Sequence, residues 1–320
     1  MNHSSKILIT GATGLVGRFA AGHLGSVQLF TPARHEMDIT DSGQVHNYIG
    51  KYTPDVIIHS AAFTDNTEAE RQRGNKKGMC WKVNVEGTKN IVEAGKRYGA
   101  YIIFISTGSV FAGDRDNPGP FTEDDPSSPD KHLSWYGATK KEAEKLVRGG
   151  PSNVPASFDR GAIIRLSHPV ARQEIFDIPP QDTIEAPRPH LDYVQHLVRL
   201  FDERALYPLF TDQHFPITYL DDVVIVIKQL LATKKTGIFH VVSFDETTPH
   251  ELAKAAIERA RHVQPELART TFDEFITTQK YPLRFSKYSA ITGAKTAQDL
   301  HLPVRTWKEI VDCLYGIRKV

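Results

Sequence analysis

The apolar run KILIT, Lys6 to Thr10, passes directly into GATGLVG, Gly11 to Gly17, and then into an amphipathic stretch that reaches about Leu24. Strand, glycine-rich turn and helix in that order leave the chain little freedom. Glycines allow a tight turn, a close approach of backbone to ligand and close contact between helix and strand, while the helix N-terminus offers unpaired N–H groups to an anion. The spacing, GxxGxxG rather than GxGxxG, still suits a dinucleotide pyrophosphate in a βαβ setting.

The rest of the first half repeats this alternation. Lys6–Thr10, Val27–Phe30, Asp55–His59, Tyr101–Ser106 and Gly161–Leu166 read as strands, separated by helical stretches near Gly14–Leu24, Asp41–Lys51, Cys80–Arg97 and Trp135–Arg148. The strand runs are almost continuously apolar, as required when both faces of a sheet are covered. The expected fold is therefore α/β, a Rossmann-type doubly wound parallel sheet.

After Leu166 the regularity fades, and Pro169, Pro179, Pro180, Pro187 and Pro189 break the chain before a helix near Leu191–Glu203. Asp221 and Asp222 signal the start of the helix VVIVIKQLLA, and Gly237–Ser243 reads as a strand that returns to the sheet. Further helices open at Pro249 and close the chain over Thr306–Ile317. This predicts two interleaved lobes: a nucleotide-binding one from 1–165 with 218–243, and a smaller C-terminal substrate lobe from 166–217 with 244–320.

A formal net charge of +1 gives no field for nucleic acid or an anionic membrane. Two cysteines, Cys80 and Cys313, make no disulfide framework. No apolar run approaches the roughly 20 residues needed to span a bilayer, and no signal peptide is recognisable. A soluble cytoplasmic protein is expected. None of the fourteen histidines forms an HxH or HxxxH pair, so no metal is expected, and His168 is the one worth watching. The acidic loop with Asp114, Asp116, Glu123, Asp124 and Asp125 lacks calcium-site spacing and reads as a mobile loop over the cleft.

Beyond the second strand, where an acidic residue commonly holds the ribose of NAD, the sequence is Thr31-Pro32-Ala33-Arg34. Arg34 suits a 2′-phosphate, which favours NADP(H) over NAD(H), and Asp38 and Ile39 are placed to flank the adenine. Tyr136 and Lys140 form a YxxxK pair on one helix face. A lysine cation beside a phenol favours the phenolate and brings its proton within reach of catalysis, and the same lysine is suited to hold the nicotinamide ribose. Ser106, Thr107 and Ser109 put hydroxyls at the carboxyl end of a parallel strand, where ligands bind in such sheets.

GATGLVG, HSAA at His59–Ala62, VNVEGTKNI at Val83–Ile91, STGSVFAG at Ser106–Gly113 and YGATK at Tyr136–Lys140 together resemble the extended short-chain dehydrogenase/reductase family. MDITD, PDVIIHSAAFT, GPFTEDDPSSP and FPITYLDDV make the chain most similar to its dTDP-4-dehydrorhamnose reductases. The resemblance implies a catalytic hydroxyl at Thr107, an acid at Tyr136 and a lysine at Lys140. It also implies a pyrophosphate cradle of Gly11, Thr13, Gly14, Leu15, Val16 and Gly17, with Ala61 and Ala62 on the adenosine side. The implied substrate is a nucleotide-linked 4-keto-6-deoxy sugar, and the implied assembly a homodimer. Two departures keep the chemistry open. Gly108 and Ser109 stand where the reductases carry Asp and Tyr, a small-residue pattern nearer the sugar epimerases, and LSHPVARQE replaces their aromatic, glycine-containing stretch. A nucleotide-sugar epimerase and a non-catalytic NADP-binding regulator are the alternatives; the pair after Thr107 disfavours a dehydratase.

Overall fold

The computed structural model describes residues 5–25, 27–149, 161–172 and 191–316. Its centre is a six-stranded parallel sheet of β1 (Lys6–Thr10), β2 (Gln28–Phe30), β3 (Val56–His59), β4 (Tyr101–Thr107), β5 (Gly161–Leu166) and β9 (Gly237–Val241), in the order β2-β1-β3-β4-β5-β9. The doubly wound expectation holds, and the crossovers explain why the central strands lack alternation: β3 and β5 are buried along their whole length. One face is covered by α1 (Leu15–His23) and α8 (Leu220–Thr233), whose apolar side chains join Ile7, Ile9, Ile58, Ile103 and Ile164. The other carries α2 (Ser42–Tyr52), α5 (Thr88–Tyr98) and α6 (Trp135–Arg148), which cover Leu8, Ile57, Ile102 and Ile163.

Caps explain where these helices begin. Asp41 accepts from the Gln44 N–H ahead of α2, and Ser134 accepts from the Gly137 N–H ahead of α6. Asp221 and Asp222 lie inside the first turn of α8 rather than before it, where carboxylates still complement the positive end of the helix. The helix expected over 80–97 is interrupted: α4 (Met79–Trp81) runs into a π-helical turn, Lys82–Gly87, before α5.

The remaining elements build a second apolar cluster. α7 (Tyr193–Asp202), α9 (Pro249–Arg261) and α12 (Trp307–Leu314) pack Leu197, Leu252, Ile257, Trp307 and Ile310 against Val170, Phe215 and Ile217. Two-residue strands β6 (Pro169–Val170) and β8 (Thr218–Tyr219) pair beside this cluster, and β7 (Leu209–Phe210) pairs with β10 (Arg269–Thr270). Pro179 to Pro189 lie outside the described residues. Among the described residues no helix is long and apolar enough to cross a membrane, and no cluster of His, Cys, Asp or Glu could hold a metal ion.

Candidate active site

The glycine turn has the shape its sequence requires. Gly11 sits at φ +70°, and a Cβ there would lie 2.6 Å from the Ala61 nitrogen; at Gly17 a Cβ would lie 2.4 Å from the Gly11 carbonyl oxygen. Backbone of β1 and of the segment after β3 are thus pressed together, with Ser60 Oγ donating to the Thr10 carbonyl at 2.7 Å. Gly14 caps α1 without any side-chain bond to the first turn, and no acidic residue stands there. The N–H groups of Thr13, Leu15 and Val16 thereby border a helix end suited to an anion, so the turn fits a dinucleotide pyrophosphate.

Around it, Ala61 donates its N–H to Thr10 Oγ1 at 3.3 Å, and Ala62 follows beside the turn. His59 underpins this corner. The Thr88 hydroxyl gives its proton to the Asn84 carbonyl (2.7 Å), so His59 Nε2 donates to Thr88 (3.0 Å) while Nδ1 accepts from Thr10 (2.7 Å). Burial, with the Lys140 cation adding to it, pushes His59 down to about 3 and keeps it neutral. Arg34 lies on the surface with its side chain 71% exposed, its Nε on Asp38 at 3.0 Å. Burial works to raise the Asp38 pKa, but the Thr40 N–H and hydroxyl, together with Arg34, hold it below the ordinary range. The Ile39 side chain is buried against Gly87 and the α2 cluster, and its carbonyl accepts from Asn90.

The three catalytic candidates come together at the carboxyl end of the sheet. Thr107 ends β4 and faces Leu166 of β5 in register. Its hydroxyl accepts from the Ser109 N–H (3.1 Å), donates to Ser109 Oγ (3.1 Å) and works to lower the pKa of the Tyr136 phenol. Ser106, by contrast, turns inward and donates to Glu144. Tyr136 is partly open to the cleft, yet the protein around it pushes the phenol up to about 12, with the nearby Cys80 thiol adding to the rise.

The Lys140 ammonium donates to the Ile105 carbonyl at 2.8 Å and stands 4.0 Å from the centre of the Phe104 ring. A buried carbonyl and an aromatic face compete for the cation, and burial pushes Lys140 down to about 7, with Glu144 opposing the fall.

Two residues have no role assigned from the sequence. Asn84, in the π turn, accepts from the Phe63 N–H (2.7 Å) and donates to the Phe63 carbonyl (3.1 Å) and Thr139 Oγ1 (3.0 Å), tying the Ala61–Thr64 segment to α6. Glu70 accepts from the Trp135 N–H and from Arg73, and so holds the entry to α6. Such partners are set by tertiary contact, and VNVEGT alone gave no role for its asparagine.

His168, next to β5, has φ +44°. It is exposed, with its ring 4.1 Å from Phe215 and 5.2 Å from Tyr193. The acidic loop is pinned rather than loose: Phe121 exchanges backbone bonds with Ala290 and Thr292, Glu123 accepts from Thr296, and Lys295 pairs with Asp124. A separate hollow of about 320 Å³, between β9, the helix α11 (Ala294–Asp299) and Asp222, is faced by none of the catalytic groups.

A glycine-lined dinucleotide turn and a Thr–Tyr–Lys set at the carboxyl edge of a parallel sheet define a Rossmann-fold protein of the extended short-chain dehydrogenase/reductase type. The chain belongs to the RmlD substrate binding domain family, whose profile matches residues 5–316. It is similar to a dTDP-4-dehydrorhamnose reductase of Aggregatibacter actinomycetemcomitans, 28% identical over 287 residues, covering 87% of this chain and 86% of that one. It is also similar to the methionine adenosyltransferase 2 subunit beta of Rattus norvegicus, 30% identical over 327 residues, covering 97% and 89%. Among solved structures, a dTDP-4-dehydrorhamnose reductase from Bacillus anthracis in complex with NADP superposes with a TM-score of 0.79 at 24% identity, covering 98% of this chain and 100% of that one.

Proposed function

We propose that this protein is an NADP(H)-dependent oxidoreductase that reduces the keto group of a nucleotide-linked 4-keto-6-deoxy sugar. The observation that carries the reading is the placing of Thr107, at the carboxyl end of β4, and Tyr136, in the first turn of α6, at the edge of the sheet that also bears the glycine turn. A reductase from the same family and a solved relative holding NADP support it.

Gly11, Thr13, Gly14, Leu15, Val16 and Gly17 cradle the pyrophosphate, Arg34 meets the 2′-phosphate, and Asp38, Ile39, Ala61 and Ala62 line the adenosine side. A nicotinamide cofactor supplies the hydride when bound. Thr107 orients the substrate carbonyl by hydrogen bonding to its oxygen, and Tyr136 delivers the phenolic proton to that oxygen as the alcohol forms. Lys140 stabilises the tyrosinate left behind, which requires its ammonium to leave the Ile105 carbonyl when ligands enter. Residues 1–165 with 218–243 form the nucleotide lobe and 166–217 with 244–320 the sugar lobe, an assignment supported by the two apolar clusters. A cytoplasmic homodimer belongs to the same reading and is checked by light scattering.

The test mixes purified protein with NADPH or NADH and a panel of nucleotide-linked 4-keto-6-deoxy sugars and follows the absorbance of the reduced nicotinamide. Stoichiometric loss is expected; interconversion of sugar epimers without net cofactor use would make the protein an epimerase. Tyr136→Phe is expected to abolish turnover and leave NADP binding nearly intact. A second reading, a regulatory subunit that binds NADP without turnover, is favoured by the likeness to methionine adenosyltransferase 2 subunit beta and by the ammonium of Lys140 being engaged elsewhere. Tight cofactor binding with neither reduction nor epimerisation would select it.

A further inference from the structure

One turn beyond Lys140 on the buried face of α6 lies a carboxylate that the chemistry above does not use. Glu144 is 3% exposed and its partner Arg165 only 1%. The pair is bidentate: Arg165 Nε reaches Glu144 Oε1 at 3.0 Å and Nη2 reaches Oε2 at 2.7 Å. Arg165 is itself held on its remaining sides, by His240 Nε2 (3.3 Å), by Ser127 Oγ (3.3 Å) and by the face of Phe111. As a stabilising device this is a poor choice, because removing two charges from water costs about as much as their attraction returns, and apolar side chains would fill the same space. Its placement points elsewhere. Glu144 Oε1 also accepts from Ser106 Oγ at 2.5 Å, and Ser106 stands between Ile105, whose carbonyl holds Lys140, and Thr107.

We propose that Glu144, clamped by Arg165, is a positioning residue for the Tyr136–Lys140 pair. Through Ser106 it fixes the end of β4 that presents both the Ile105 carbonyl and the Thr107 hydroxyl, and its negative charge keeps Lys140 protonated inside the protein. The charged and titratable groups around Lys140 support this. Tyr136 and Glu144 face it from α6, His59 from β3, and beyond Glu144 stand Arg165 on β5 and His240 on β9, with Cys80 of α4 beside the tyrosine. Both histidines are pushed down to about 3 by burial and are neutral. Among the described residues, Glu144 is the carboxylate whose charge acts on Lys140, opposing the loss of charge that burial favours.

The kinetic arm of the test rests on the reductase reading; the second arm does not. Glu144→Gln keeps the volume and removes the charge, and the double variant Glu144→Gln with Arg165→Met also removes the cation that the single change would leave buried and unpaired. In both, the alkaline limb of the pH–rate profile for NADPH oxidation is expected to move to lower pH by about one unit or more, since removing an anion favours the neutral amine. A profile that overlays the wild type, with kcat reduced by one factor at every pH, would overturn the proposal and leave Glu144 a packing role. Urea unfolding between pH 6 and 8 reads the same lysine without substrate. The variants are expected to take up about half a proton more than the wild type on unfolding between pH 6 and 7, because more of their folded lysine has already released it. Equal proton uptake overturns the proposal even if the wild type turns nothing over, whereas unequal uptake with no wild-type turnover refutes the reductase reading alone.

Discussion

Asn84 donates to the Thr139 hydroxyl at 3.0 Å from within the π-helical turn, so the segment after β3 and helix α6, which carries Tyr136, are joined by one side chain. The same amide satisfies both backbone groups of Phe63. Asn84→Ala leaves those groups and Thr139 short of partners, and we expect it to cost about 2–4 kcal/mol of stability. Urea denaturation measures the loss. Calorimetry with NADP is expected to show weaker binding as well, because the Ala61–Ala62 segment loses its anchor; unchanged affinity would separate Asn84 from the cofactor site.

Gly11 is both left-handed and in contact, so Gly11→Ala combines backbone strain with a Cβ 2.6 Å from the Ala61 nitrogen. A loss of at least about 2 kcal/mol is expected, with NADP binding abolished. Thermal melts with and without NADP check both: the ligand-induced rise in Tm that the wild type is expected to show should disappear.

Gly108, directly after Thr107, is buried. A Cβ on Gly108 would meet the buried side chain of Ile291 at 3.4 Å, inside the small cluster of Val110, Phe111 and Phe121. Gly108→Asp therefore drives a carboxylate into apolar surroundings and is expected to destabilise by about 2–3 kcal/mol. Adding Ile291→Ala is expected to recover part of that loss, and a double-mutant cycle in denaturant tests the coupling. Strict additivity would show that the C-terminal segment does not dictate the small residue after Thr107.

His59 and His240 are fully buried and neutral, each pushed from about 6.5 to about 3 by burial. Between those values the unfolded chain binds protons that the folded one refuses, so stability must rise with pH in that window. The contribution is complete above pH 6.5 and is lost progressively as pH falls toward 3, by up to about 1.4 kcal/mol per pH unit for each ring. Unfolding free energies measured from pH 4 to 7 are expected to climb and then level from these two groups; His59→Asn should flatten the climb.

What could be read from the chain follows from how local each signal is. The strands around Ile7, Ile57, Ile103 and Ile163 carry their burial in their own composition, and the Gly11–Gly17 turn and the Tyr136–Lys140 spacing are contained within a single strand–turn–helix unit or one helical turn. The Glu144–Arg165 pair, Asn84 and Glu70 gain meaning only when distant segments meet. Two-residue strands such as Pro169–Val170 have no period to detect, and the contact of Phe121 with Ile291 joins residues that no local pattern connects. Ile39, placed by its position near the adenine, is also a core side chain beneath Gly87. Helical spacing places Lys140 one turn from Tyr136, whereas the Ile105 carbonyl that its ammonium meets lies on another element and leaves no local signal.

After β5 the polypeptide leaves the sheet, comes back to supply α8 and β9, and departs again into α9 and α12. No single cut in the coding sequence can therefore release either half intact: ending translation after β5 would strip the sheet of its outermost strand and expose the apolar face beneath α8. Dissecting cofactor affinity from sugar recognition in this protein demands point changes or spliced segments, since truncation would compromise both at once.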